Sequence, residues 1–100
     1  FLFSPQHGKI NLGNISNTLK GTSGIIKFQA IQNKLNTIEI ILIVDKTIFT
    51  EKSQLLFYKN WVDRVGNEMN LKYTYVNEIP LEKSGKFSLV KNNIKHLIEN

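Results

Sequence analysis

The stretch of sequence that decides the fold is residues 25–44, which read IIKFQAIQNKLNTIEIILIV. It contains two apolar segments separated by a short polar turn. In the first segment Ile26, Phe28 and Ala30 occupy alternate positions, which is the pattern of one face of a β-strand. The second segment, residues 38–44, consists almost wholly of β-branched residues and Leu, a composition typical of a central strand buried on both faces. We therefore predict that the two segments pair as antiparallel strands.

Further elements are predicted on the C-terminal side of this pair. Residues 55–65 place apolar side chains three and four positions apart, which predicts a helix that has Thr50 as its N-cap and ends at Gly66. Residues 71–77 alternate as a third strand does, and residues 87–98 carry the weaker amphipathic pattern of a C-terminal helix.

The N-terminal part of the chain adds two short elements. Pro5 and Gly8 mark the turn of a hairpin, and Asn14 or Ser16 is expected to cap a short helix that ends at Gly21. Taken together, the elements predict an α+β fold, in which a small three-stranded sheet has flanking helices and an N-terminal hairpin.

Composition limits the classes of function. The 100 residues form one small domain, and the absence of cysteine excludes disulfides and thiolate metal sites and suits a reducing compartment, so a cytoplasmic location is expected. No apolar run approaches the roughly 20 residues of a membrane span, and no membrane partner is expected. The net charge of +5 favours anionic partners. Because the chain begins at Phe1 rather than Met, we expect residues 1–100 to be a piece of a longer chain.

The chemistry-bearing segment is residues 79–87, near the C-terminus. Its Lys86 follows Ser84 and Gly85, and a lysine on such a short loop is a mobile cation that can be aimed at a phosphate or a carboxylate. A phosphate loop of the Walker type is excluded, since that motif requires Ser or Thr directly after the lysine, where this chain has Phe87. Read alone, the Ser-Gly-Lys triplet is more often an ordinary surface turn than a site. No residues with metal-ligand spacing surround the two histidines, so no metal site is expected.

A nucleic-acid interface is the alternative function of a different class. Tyr73 and Tyr75, with Phe28 on another strand, could stack on bases, and the basic charge is compatible with RNA or another anion. Leu71 shares their predicted face, which favours burial instead. A third interpretation is a structural interaction domain without a site.

Three blocks of sequence resemble one known family. Residues 24–32 follow its strand pattern Gly-Ile-x-x-Phe-Gln-x-x-Gln, residues 35–44 supply the next turn and strand, and residues 75–87 contain its last motif, Pro-x-x-x-Ser-Gly-Lys. Residues 8–13 are similar to the relatives in capsular polysaccharide biosynthesis. The chain thus resembles the C-terminal lid domain of adenylate-forming enzymes, in the branch of the phenylacetate–coenzyme A ligases and those relatives.

The resemblance implies a function for the full-length protein. Such enzymes activate a small carboxylic acid with ATP and Mg²⁺ and often transfer the acyl group to coenzyme A, and the lid closes over a larger N-terminal adenylation domain of the same chain. Lys86 would be the catalytic residue, reaching the carboxylate and the α-phosphate. Ser84 and Gly85 would support the loop, and Lys83 would either add charge for the phosphates or be a solvated surface residue.

The resemblance also has limits. Relatives commonly carry an arginine two or three residues after the lysine, where this chain has Ser88 and Leu89, so its anchoring role is missing. The fragment alone is expected to be inactive and to bind no cofactor, and no nucleic-acid partner is expected if the resemblance holds. A homodimer through the exposed docking face is left open.

Overall fold

A four-stranded sheet with one long helix on its face forms most of the fold. The computed structural model describes residues 1–98. In chain order its elements are β1 (Leu2–Ser4), β2 (Gly8–Ile10), α1 (Leu12–Ser16) followed by a 3₁₀ turn (Asn17–Leu19), β3 (Ile25–Lys34), β4 (Thr37–Val44), α2 (Glu51–Val65), β5 (Asn70–Tyr75), β6 (Val90–Asn92) and α3 (Lys95–Ile98). The α+β class and the N-terminal hairpin β1–β2 are confirmed.

The sheet has one strand more than the sequence predicts. Its strand order is β5-β4-β3-β6, with β3 and β4 antiparallel as expected and β6 parallel to β3. The helix predicted over residues 87–98 is therefore wrong over its first part, and α3 begins only at Lys95. Residues 90–92 pair with the free edge of β3. This pairing competes successfully with a helix, because a short and weakly amphipathic helix is only marginally stable.

The alternation in β3 is interrupted at its start. The pairing with β4 shifts register between Ile25 and Lys27, as a β-bulge does. Because of this extra residue, Ile25 packs against the core and Ile26 is 64% exposed. The prediction that Ile26 shares the buried face of Phe28 is therefore wrong.

Strand β4 is buried on one face rather than on both. Ile38, Ile40 and Leu42 are fully buried, whereas Ile41 and Ile43 on the opposite face are only partly covered. A strand rich in β-branched residues is compatible with either arrangement, so composition alone does not show whether one face of the strand is buried or both. Helix α2 covers the first face.

The core between α2 and the sheet is aromatic. Trp61 and Phe57 of α2 and Phe28 of β3 are buried and meet edge to face, with ring centroids 5.5–6.4 Å apart. The predicted ends of α2 are confirmed, since the Thr50 side chain accepts a hydrogen bond from the Ser53 amide and Gly66 is the C-cap residue.

The N-terminal elements are tied to this core by buried polar contacts. The Gln32 side chain bonds both the amide and the carbonyl of Phe3, each at 2.8 Å, and the Ser4 hydroxyl donates to the Val65 carbonyl at 2.6 Å. Helix α1 begins earlier than predicted, because Asn11, and not Asn14 or Ser16, provides the N-cap oxygen. None of the helices within residues 1–98 has the length and apolar character to cross a membrane.

Candidate functional site: the Lys86 turn

A tight turn presents Lys86 to solvent. The Gly85 amide donates to the Glu82 carbonyl and the Glu82 amide donates to the Lys86 carbonyl, both at 2.8 Å. These two bonds close a three-residue turn over residues 83–85, which needs a left-handed residue in its last position. Gly85 supplies it with φ of +82°. We call residues 82–86 the Lys86 turn.

The charged groups of the turn are exposed. Lys83, Ser84 and Lys86 are all solvent-exposed, and within residues 1–98 the Lys86 ammonium has no hydrogen bond or ion pair. Glu82 instead lies 3.8 Å from the Lys91 ammonium on β6. The carboxylate nearest in sequence is thus directed to another lysine, and the Lys86 charge is available to a ligand.

The chain after the turn is attached to β3. The Gln29 side-chain amide donates to the Ser88 carbonyl at 2.7 Å, and the Ala30 amide donates to the Leu89 carbonyl at 2.9 Å. The Lys27 ammonium lies 4.4 Å from the centre of the Phe87 ring. Gln29 was not predicted as a residue of the site. The signal for it was a glutamine between Phe28 and Ala30 in the middle of β3, since an amide that is buried there needs a hydrogen-bond partner.

An open groove runs along the same stretch of chain. Its volume is about 490 Å³, and its lining consists of Phe1, Leu12, Ser16, Phe87, Ser88, Leu89, Val90 and Asn92. The lining combines apolar side chains with three small polar ones and lies directly C-terminal to Lys86. The exposed lysine is therefore followed in the chain by a groove with a mixed apolar and polar lining.

The tyrosines that could have formed a base-stacking platform face α2 instead. Tyr73 stacks on Tyr58 of α2 with ring centroids 3.7 Å apart. Tyr75 is 41% exposed, but its hydroxyl accepts a hydrogen bond from Gln54 of α2 at 2.6 Å and lies 3.0 Å from the Tyr58 hydroxyl. The stack on Tyr58 occupies a ring face of Tyr73 that a nucleic-acid base would need, and Phe28 is buried. Both observations count against the nucleic-acid alternative.

The same packing changes the acidity of two tyrosines. Burial, followed by the hydrogen bond with Tyr75, raises the pKa of Tyr58 to about 12. Burial, with the neighbouring Tyr58 and Tyr75, also raises the pKa of Tyr73. Both phenols therefore stay protonated at neutral pH and serve as neutral packing groups.

The histidines do not gather metal ligands. His7 Nδ1 lies 2.8 Å from the Arg64 carbonyl, and among residues 1–98 no group of three histidine or acidic side chains is placed to hold a metal ion.

Comparison with known proteins identifies the family. No curated protein and no solved structure matches the chain. The family model described as the CapK C-terminal domain matches residues 2–93, which include the Lys86 turn and every strand of the sheet. CapK belongs to the adenylate-forming enzymes of capsular polysaccharide biosynthesis, so the resemblance inferred from the three sequence blocks is confirmed. The chain is a member of the CapK C-terminal domain family.

Proposed function

We propose that this domain supplies Lys86 to an ATP-dependent acyl-activating ligase. The observation that carries the proposal is the placement of Lys86. Its ammonium is exposed and unpaired among the described residues, on a turn closed by two backbone hydrogen bonds. Membership of an adenylate-forming family supports the same reaction class.

The proposed first step forms an acyl-adenylate. A carboxylate oxygen of the substrate attacks the α-phosphorus of ATP, the bond to the β-phosphate oxygen breaks, and pyrophosphate leaves. Negative charge grows on the α-phosphate oxygens in the transition state. A cation already held near that position stabilises the charge without reorganisation of its surroundings. Lys86 would provide this cation when the domain closes over the rest of the enzyme.

The neighbours of Lys86 have supporting roles in this proposal. Gly85 permits the left-handed conformation that the turn needs before Lys86. Ser84 lies at the exposed tip, where its small polar side chain would let the loop approach a phosphate closely. Lys83 adds a second positive charge at the tip, where the solvent screens it.

The second step would transfer the acyl group to coenzyme A. The thiol gives up its proton to water, its sulfur attacks the acyl carbon of the adenylate, and AMP leaves with the pair of electrons from the broken bond. The carboxylic acid would bind mainly in a separate N-terminal adenylation domain. The described residues offer no three-ligand metal cluster, so Mg²⁺ would be held by the phosphates of ATP and by that domain.

Carboxylate-dependent ATP–pyrophosphate exchange on the full-length protein tests the proposal. With a panel of aryl and acyl acids, at least one acid should support exchange. Lys86→Ala should slow it by about 10²- to 10³-fold, the usual effect of removing one charge-stabilising donor. Lys52→Ala is the matched control, because Lys52 is an exposed lysine on α2, outside the Lys86 turn.

The control variants separate chemistry from folding. Lys86→Ala should leave the free energy of unfolding within about 0.5 kcal/mol of wild type, as exposed substitutions usually do. Exchange that continues at the wild-type rate in Lys86→Ala would refute the proposed role. Loss of exchange in Lys52→Ala as well would point to a general effect of charge.

A further inference from the structure

We propose that Gln29 is the positioning residue of the Lys86 turn and fixes the lysine through the Ser88 carbonyl. This inference rests on the proposed function of Lys86. Gln29 itself lies on β3 and would touch neither ATP nor the acid, so its effect would be transmitted by the backbone between residues 86 and 88.

The two residues between the Lys86 turn and the start of the pairing with β3 are held by side-chain contacts. On one side, the Lys86 turn is closed by its own bonds between Glu82 and Lys86. On the other side, regular pairing with β3 starts with the bond from the Ala30 amide to the Leu89 carbonyl. Between these two fixed points lie Phe87 and Ser88. Without further contacts, this dipeptide would act as a hinge for the turn.

Gln29 spans this gap with a buried donor. Its side chain is 2% exposed, and its Nε2 atom donates to the Ser88 carbonyl at 2.7 Å. The Gln29 amide is shielded from water and Ser88 is half-buried, so this hydrogen bond is stronger and more directional than an exposed ionic contact would be. Lys27, two positions earlier on the same face, adds only the contact with the Phe87 ring.

Positions 88 and 89 carry no basic side chain. These positions use their backbone carbonyls, which bond Gln29 and Ala30 of β3. The chain after the turn is thus anchored on a side chain and a backbone amide of the sheet. Because β3 is a central strand, it is a more rigid support than the loop itself.

A kinetic comparison tests the role. In the full-length protein, Gln29→Met keeps the side-chain volume and removes the donor. Gln32→Met is the matched control: Gln32 is a second fully buried glutamine of β3, but its amide bonds Phe3 of the hairpin. We expect Gln29→Met to lower kcat for adenylation by about tenfold and to keep KM for ATP and acid within about twofold, because a misplaced lysine weakens the transition state more than binding. Folded Gln32→Met should retain kcat.

Limited proteolysis provides a measurement that does not depend on activity. A lysine-specific protease, applied under native conditions, should cut the Lys86–Phe87 bond about fivefold or more faster in Gln29→Met, since cleavage requires local opening. Cleavage after Lys59 in α2 reports global unfolding in the same sample. The Gln32→Met protein should show no selective increase at Lys86.

The kinetic measurement and the proteolysis measurement can each contradict the proposal. Wild-type cleavage at Lys86 in Gln29→Met, or an equal fall of kcat in folded Gln32→Met, would overturn the positioning role. So would faster cleavage accompanied by an unchanged kcat. If the wild-type protein shows no exchange with any acid, the proposed function fails, and proteolysis alone decides whether Gln29 holds the turn.

Discussion

The two sides of this domain are built in different ways. Between α2 and the sheet, Phe28, Phe57 and Trp61 are buried against one another. The crossover segment, residues 76–89, connects β5 at one edge of the sheet to β6 at the other and is largely exposed or half-exposed. Ile79 is its one buried apolar side chain within the described residues. Burial therefore stabilises the first region, and a few directed hydrogen bonds hold the second.

The difference separates folding from chemistry. Apolar burial stabilises the fold in proportion to the area removed from water, and the crossover segment removes little. Regions with few buried contacts open locally at a small cost in free energy, which suits a loop that must approach a ligand. The lysine thus lies where substitution should change activity and leave the fold intact, and the predictions below test that division.

The largest effect on stability is expected at Trp61. Trp61→Ala removes the largest fully buried side chain and should lower the free energy of unfolding by about 3–5 kcal/mol. Urea unfolding followed by far-UV circular dichroism measures the change, because the substitution removes the chain's one tryptophan. Leu55→Ala on the same helix is the control: Leu55 is 59% exposed and should cost less than about 1 kcal/mol. Similar losses in both variants would contradict a core centred on α2.

Two glycines sharpen the comparison, because they share a backbone conformation and differ in surroundings. Gly24 and Gly85 have φ of +86° and +82°. A Cβ on Gly24 would collide with the backbone of Phe49, whereas a Cβ on Gly85 would meet nothing within 4 Å. Gly24→Ala should cost about 2–5 kcal/mol, from left-handed strain and overpacking together. Gly85→Ala should cost only the strain, about 1–2 kcal/mol.

The location of the strain is also testable. In Gly85→Ala, hydrogen exchange should accelerate at the amides of the Lys86 turn and stay unchanged in α2, since the turn opens locally. In Gly24→Ala the amides of α2 should exchange faster as well, because the whole domain is destabilised. Uniform acceleration in Gly85→Ala would show that the turn and the core unfold as one unit.

The sequence predicted the parts of the fold that local rules govern. The antiparallel pair β3–β4 follows from two apolar segments and a short turn, and α2 follows from its spacing, its Thr50 cap and Gly66. The turn that carries Lys86 follows from the Ser-Gly-Lys triplet, although the left-handed φ of Gly85 was not predicted. Each of these features depends on residues close together in the chain.

The features that the sequence did not predict depend on distant partners. Strand β6 forms because the edge of β3 is free, more than 50 residues earlier in the chain. The exposure of Ile26 depends on a one-residue bulge against β4, which shifts the alternation without changing the composition. The contact between Gln29 and Ser88 joins residues 59 positions apart. No local pattern specifies such pairings.

The smallest effect is expected at the border between the two regions, where the three tyrosines of the chain lie together. The folded state raises the pKa of Tyr58 to about 12, whereas an unfolded tyrosine ionises near about 10. The folded protein therefore binds more protons than the unfolded one between these values. The stability that this pKa difference provides is therefore fully present below a pH of about 10 and is lost as the pH rises toward about 12. Because Tyr58 is only half-buried, solvent screening should keep the loss below that of Gly24→Ala.

Urea unfolding of wild type and Tyr58→Phe at pH 9 and at pH 11 measures this loss. Phenylalanine keeps the stack on Tyr73 and removes one titrating hydroxyl, so the variant should lose less stability over this interval than wild type. Absorbance at 295 nm records tyrosinate formation in the same samples and reports this cluster alone, since it contains every tyrosine of the chain. An equal pH-dependent loss in both proteins would assign it to lysine titration. The packing between α2 and β5 would then contribute nothing to the alkaline limit of stability.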